Sequence, residues 1–169
     1  MKKIYLLLIP ALLLLSSCIQ KETDPMMEKE AIKAVIEKEF SAYINQDLVK
    51  LLETVIQDEN TIRISIGVKG YQERLGWDNV YPYYKKSVQT DWTDFTDIKV
   101  DRSNYNFLIC EESAFVLFNQ TMHYKYKGEA QESLSKETRM LKKIKGEWKI
   151  QVVQFVDLSS FEGKAEKVF

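Results

Sequence analysis

The sequence is short of most of the side chains that do chemistry. Its 169 residues include one histidine and two cysteines. A metal centre needs several imidazole, thiolate or carboxylate ligands at short spacing, and no such His/Cys/Asp cluster occurs. Six glycines and three prolines are also few. None of the glycines forms a phosphate-cradling loop, so no cofactor is expected. Charge of one sign is missing as well, with 24 basic against 25 acidic side chains. A nucleic-acid partner would want a basic patch, and none is expected here. A membrane-spanning helix needs about 20 apolar residues. The longest apolar run, Ile4 to Leu15, falls short of that and is interrupted by Tyr5 and Pro10.

That short run has another reading. It follows the basic Met1-Lys2-Lys3, as the apolar region of a secretory signal does. It ends Leu15-Ser16-Ser17-Cys18, which resembles the lipobox of bacterial lipoprotein precursors. The resemblance implies cleavage after residue 17 and a diacylglyceryl group on the Cys18 thiol. Two acyl chains anchor a protein stably, where one does so only marginally. Residues 1–17 are thus expected to be a signal peptide, and residues 18–25 a lipidated cysteine with a polar tether. The expected place is the cell envelope, with the membrane as partner. Ile19, where some lipoproteins carry Asp, implies the outer membrane if the host is Gram-negative. With Cys18 taken by lipid, Cys110 has no partner for a disulfide. It lies in the apolar run Asn106 to Cys110 and is expected to be a buried small hydrophobe.

Removing the signal leaves roughly 150 residues, enough for one domain with a sizeable core. The domain is expected over residues 26–158, with 159–169 as a loosely packed tail. Asp24-Pro25 is a helix start, a capping acceptor followed by proline at the first position. Ile32, Val35, Ile36, Phe40 and Tyr43 continue it at helical spacing. Asp47 caps a second helix with Leu48, Leu51, Leu52 and Val55. Ile62, Ile64 and Ile66 alternate with Arg63 and Ser65, which predicts a strand burying its isoleucines. Tyr71 to Val88 reads as a third helical region, kinked or split at Pro82. Strands follow from Phe95 to Cys110, Ala114 to Tyr126, Ser133 to Ile144 and Trp148 to Val156. The result is an α+β layout, a curved antiparallel sheet with N-terminal helices across it.

This order resembles the nuclear-transport-factor-2-like superfamily, in its SnoaL-like and ketosteroid-isomerase-like branch. The marks are Tyr43-Ile44-Asn45-Gln46-Asp47-Leu48 closing the first helix, Asp58-Glu59 before the first strand, Gly70 opening the third helix, and the hairpin Arg139 to Ile150. The resemblance implies a cone-shaped domain with a pocket, often a homodimer through the outer sheet face. It implies no single activity, because the fold hosts isomerases, dehydratases, cyclases and binders.

The isomerase branch can be tested residue by residue. Matched to it, the position of the proton-shuttling Asp falls on Ile64, which cannot move a proton. The protonated Asp donor falls within Thr138 to Met140, which holds no carboxylate. The oxyanion-stabilising Tyr falls near Glu39, with Tyr43 one turn on. Isomerase chemistry of that type is not expected, and no catalytic residue is assigned. His123 would need a carboxylate partner such as Asp157 to work as a dehydratase base. A lone strand histidine is more often structural. Trp77, Tyr81, Tyr83 and Tyr84 crowd the third helical region, either lining a pocket or filling the core. Tyr43, Asn119, Thr121, Arg139 and Gln154 are the polar candidates. Strand alternation puts Asn119, Thr121 and His123 on one face, and Thr138 and Met140 on the face opposite Arg139. The expected ligand set is Tyr43, Trp77, Tyr83, Tyr84, Asn119, Thr121, His123 and Met140. Three functions fit: a pocket binding a small apolar or aromatic ligand, a dehydratase-like lyase or isomerase, or a dimerising envelope scaffold with a filled pocket.

Overall fold

The structure is a computed structural model that describes residues 24–161. The expected signal peptide, Cys18 and residues 19–23, like residues 162–169 of the tail, lie outside the described residues.

Helix α1 spans Pro25–Ile44 and starts as the sequence demands, with Asp24 Oδ1 accepting from the Met26 amide at 2.8 Å. Its inward stripe is Glu28, Ile32, Ile36, Glu39 and Ala42. Two of those five residues are acidic, and each has a buried partner on the sheet. Glu28 accepts from the Trp148 indole and the Lys143 ammonium, both at 2.6 Å, which pins the first turn of the helix. Helix α2, Leu48–Glu53, is capped by Asp47 and buries Leu51.

Six strands follow: β1 Ile62–Gly67, β2 Gly70–Leu75, β3 Phe95–Cys110, β4 Ser113–Tyr126, β5 Glu129–Ile144 and β6 Glu147–Asp157. Helix α3, Trp77–Ser87, lies between β2 and β3. The strands form one sheet in the order β2-β1-β6-β5-β4-β3. Every neighbouring pair is antiparallel except β1 and β6, which run parallel, so the sheet is mixed rather than wholly antiparallel. Register shifts at Thr96/Lys99, Ser103/Asn106 and Met140/Leu141 bend the long strands. The helices cover one face.

Several local expectations need correction. Tyr71 to Leu75 is strand, not helix, paired with β1 from Tyr71–Ile66 to Leu75–Ile62. Gly70, at φ +77°, closes a tight hairpin instead of opening a helix. The hairpin wins because Gly67-Val68-Lys69-Gly70 is a turn signal between two alternating segments. The helix starts only after Gly76 and runs through Pro82 without splitting. Cys110 is exposed, not buried. Along β3 the inward residues are Tyr105, Phe107 and Ile109, so Leu108 and Cys110 point out. The start of the tail is docked, since the Ser159 hydroxyl accepts from the Leu134 amide at 3.1 Å.

The covered face of the sheet has two ends. At one end Ile32, Ile36, Leu51, Val80, Val116, Phe118, Leu141, Ile150 and Val153 are fully buried and form the core. At the other end the inward residues turn polar: Gln120 on β4, Ser135, Glu137 and Arg139 on β5, and Arg63 and Ser65 on β1. The core stops where the pocket begins.

Candidate functional site

The polar end encloses a cavity of about 450 Å³, within the usual range for small-ligand pockets. Helix α1 contributes Glu39, Phe40, Tyr43 and Ile44, and helix α3 contributes Tyr83 and Tyr84. The sheet supplies the rest of the wall, including Arg63, Met122, Arg139 and Phe155, and Trp92 joins it from the loop before β3.

Arg139 organises the floor. Its Nε donates to Glu39 Oε2 at 2.9 Å and its Nη1 to Glu137 Oε2 at 2.8 Å. All three side chains are at least nine-tenths buried. Burial works against a charged Arg139, but Glu39 and Glu137 outweigh it and hold the guanidinium charged. Glu137 Oε1 also accepts from the Ser135 hydroxyl at 2.9 Å and from Gln120 Nε2 at 3.4 Å. Gln120 Oε1 in turn accepts from Arg102 Nε at 2.9 Å, and Arg102 pairs with Glu37 at the surface. A buried carboxylate is tolerated only with such partners.

Arg63 is a second cation on the wall, partly buried. Its guanidinium lies 4.4 Å from the centre of the Tyr83 ring and donates to the Tyr83 hydroxyl at 3.1 Å. Burial opposes its charge, while the phenol oxygens of Tyr83 and Tyr84, and Glu39 at longer range, favour it and prevail. Burial pushes the Tyr84 phenol up to about 12, with Glu39 adding to the effect. The Tyr43 phenol is raised for the same first reason, with Tyr83 next. Both phenols therefore stay neutral and can donate a hydrogen bond inside the pocket. Tyr43 meets Trp92 edge-on at 5.7 Å.

Of the expected ligand set, the structure brings together Tyr43, Tyr83 and Tyr84, along with Arg139 from the polar candidates. Trp77 packs against Tyr81 and Tyr84 and supports the wall from behind. Asn119, Thr121, His123, Met140 and Gln154 lie on the uncovered face. The register settles their side: Val116 opposes Arg139, which opposes Val153, and all three are buried. The next residues along each strand must therefore face outward. Asn119 accepts there from Lys136 at 2.7 Å. His123 stands between Asp101 at 3.3 Å and Glu132 at 3.2 Å, so Asp157 is not its partner. Ile64 points outward too, and Arg63 and Ser65 take the inward side. The carboxylates of Glu39 and Glu137 do face the cavity, at positions other than those matched to the two Asp of the isomerase branch. Among the described residues no His/Cys/Asp/Glu group could hold a metal ion.

A family profile described as a protein of unknown function, DUF3804, matches residues 28–160. The chain belongs to the DUF3804 family. No protein with a curated description matches the sequence. Solved structures of nuclear-transport-factor-2-like proteins are similar to this DUF3804 member and share its fold. One from Shewanella oneidensis, of unknown function, is 21% identical with a TM-score of 0.57, covering 78% of this chain and 100% of its own. A candidate dehydratase from Streptomyces avermitilis is 12% identical with a TM-score of 0.63, covering 79% and 98%. The association domain of C. elegans CaMKII is 17% identical with a TM-score of 0.61, covering 77% and 95%. At these identities the likeness carries the fold alone.

Proposed function

We propose that this DUF3804 domain binds a small organic molecule with an apolar or aromatic body, without turning it over, on a lipid tether in the cell envelope. The observation behind the binding reading is the cavity of about 450 Å³ walled by Phe40, Tyr43, Tyr83, Trp92 and Phe155. The case against turnover is that the pocket carboxylates Glu39 and Glu137 are both held by Arg139. Both oxygens of Glu137 already accept hydrogen bonds, and Glu39 is held by Arg139. A general base needs a lone pair within reach of the substrate proton. Mass spectrometry of small molecules retained by the purified full-length chain tests the reading. A retained compound that raises the melting temperature on re-addition is expected. A chain that retains nothing, and that no member of a small-aromatic library stabilises, would refute it.

A lyase or isomerase reading rests on Glu39 and Tyr43, which face the cavity one helical turn apart, and one similar structure is a candidate dehydratase. Turnover of the retained compound would favour it. The tether reading rests on the lipobox-like Leu15-Ser16-Ser17-Cys18. Cys18→Ser should free the protein from membranes or block its processing, and unchanged attachment would sink the anchor. Self-association through the uncovered sheet face rests on the exposed Leu108, Phe115 and Met140. One similar structure is an association domain.

A further inference from the structure

Among the described residues, four buried side-chain nitrogens have no hydrogen-bond partner: Arg63 Nε, Arg74 Nη1, Trp92 Nε1 and Gln151 Nε2. All four are donors. Three of them, on Arg63, Arg74 and Trp92, belong to the pocket wall or the strand pair that builds it. Leaving such a donor unmade costs about 1–3 kcal/mol, more for a charged group. The deficit is therefore of one kind: this end of the molecule is short of acceptors.

The two arginines sharpen the point. Arg63 and Arg74 are direct cross-strand partners on β1 and β2, an arrangement that like charges make unfavourable. Both guanidiniums lie against one ring, at 4.4 and 4.5 Å from the centre of Tyr83. Arg74 Nη2 donates to Gln72 at 3.2 Å, and Gln72 also lines the cavity. Neither arginine forms an ion pair with any described residue, in contrast to Arg139, which holds two carboxylates. The cluster of Arg63, Arg74, Arg139, Glu39 and Glu137 thus carries one excess positive charge. Asp157, also on the lining, does not cancel it locally. It sits beside Gly67 at the far end of β1, with Oδ1 accepting from the Ser159 amide.

We infer that the pocket takes an organic carboxylate, its anionic group on Arg63 next to Arg74 and its ring or hydrocarbon body among Phe40, Tyr43, Met122 and Phe155. This inference rests on the pocket reading above and adds the ligand's charge. A carboxylate supplies only acceptors, which is the deficit. Its two oxygens match the planar fork of a guanidinium, giving charge-assisted bonds stronger than neutral ones. As a monoanion it brings the cluster to neutrality.

The test uses a matched pair of probes, 4-phenylbutanoate and 4-phenylbutanamide, titrated calorimetrically into the full-length chain. They share a body and differ in charge and in the donors that the amide adds. The carboxylate is expected to bind the wild type at least about tenfold more tightly, the size of one good charged hydrogen bond. Arg63→Gln should abolish the carboxylate's advantage over the amide. Arg74→Gln, at the cross-strand neighbour that is not part of the cavity lining, should cut the preference in part. Equal binding of the two probes to the wild type overturns the inference and leaves the pocket reading standing, as does a preference that survives both variants. If neither probe binds and nothing is retained by the purified chain, the pocket reading falls and this inference falls with it.

Discussion

A single hydroxyl reports how dry the pocket wall is. Tyr84 is 2% exposed and sits between Trp77 and Tyr83. Burial raises its phenol from the ordinary 10.0 to about 12. A phenol raised in the folded state contributes stability that is complete below the unfolded value. That contribution is lost as pH climbs from about 10 to about 12, where the unfolded chain ionises first. Two units correspond to about 2–3 kcal/mol. Tyr84→Phe removes the titration and little of the packing. Urea unfolding of wild type and variant at pH 9 and pH 11.5 should therefore show the wild type losing about 2 kcal/mol relative to the variant. A difference that stays flat across that window would mean that the wall is wet. The residues that matter most were legible only in part. Glu39 sits in the stripe Ile32-Ile36-Glu39-Tyr43, and a carboxylate at core spacing is a signal of a buried partner. Arg139 was recognisable as a polar candidate. Arg63 was hidden, because the isoleucines on either side claim the buried face and the helix above it was needed to decide otherwise.

At the scale of elements, the long pieces follow from local rules and the junctions do not. The capped helix at Asp24, the one at Asp47 and three of the four long strands are where spacing and capping place them, while β5 begins at Glu129, four residues before the expected Ser133. The error lay between Gly67 and Trp77, where Tyr71, Leu75 and Trp77 give a spacing that fits helix as well as strand. Pairing with β1 decides for strand, and single-chain periodicity carries no information about pairing. The choice of face on β4 failed for a related reason. Ala114, Val116, Phe118 and Met122 alternate with Phe115 and Leu117, so both faces carry apolar residues and alternation alone cannot choose the side. Gly76 is the joint where β2 ends and α3 begins. It holds φ +78° and ψ 154°, a region that only glycine occupies comfortably. Its amide donates to the Thr61 carbonyl at 2.8 Å, which ties the start of α3 to β1. A Cβ there would meet Glu59 O at 3.6 Å, ordinary contact, so the cost of Gly76→Ala is conformational rather than steric. Loss of about 1–3 kcal/mol is expected in denaturant unfolding. Because α3 presents Tyr83 and Tyr84, ligand affinity should fall with it. A variant as stable as the wild type would show that the joint has slack.

At the scale of the whole molecule, the sheet has one covered face and, among the described residues, one bare one. On the bare face Leu108, Phe115 and Met140 stand side by side across three strands, since Leu108 pairs with Phe115 and Phe115 with Met140. They are 66%, 39% and 48% exposed. A contiguous apolar row on a broad sheet is the usual mark of a protein interface. A two-fold pairing would set the row against its own copy, so each substitution acts twice. Met140→Glu puts a like charge from each subunit at the centre of that contact, where desolvation makes it expensive. Sedimentation equilibrium should show a wild-type dimer and a Met140→Glu monomer. Since Met140 faces away from the core, the variant should keep its fold and its ligand affinity, which separates this face from the pocket. A wild type that sediments as a monomer at about 100 μM would exclude the row as a stable interface, because that concentration already favours any contact of micromolar strength. If the dimer forms and Cys18 carries the proposed lipid, two tethers would act together, and membrane residence should lengthen by far more than the twofold expected of independent anchors.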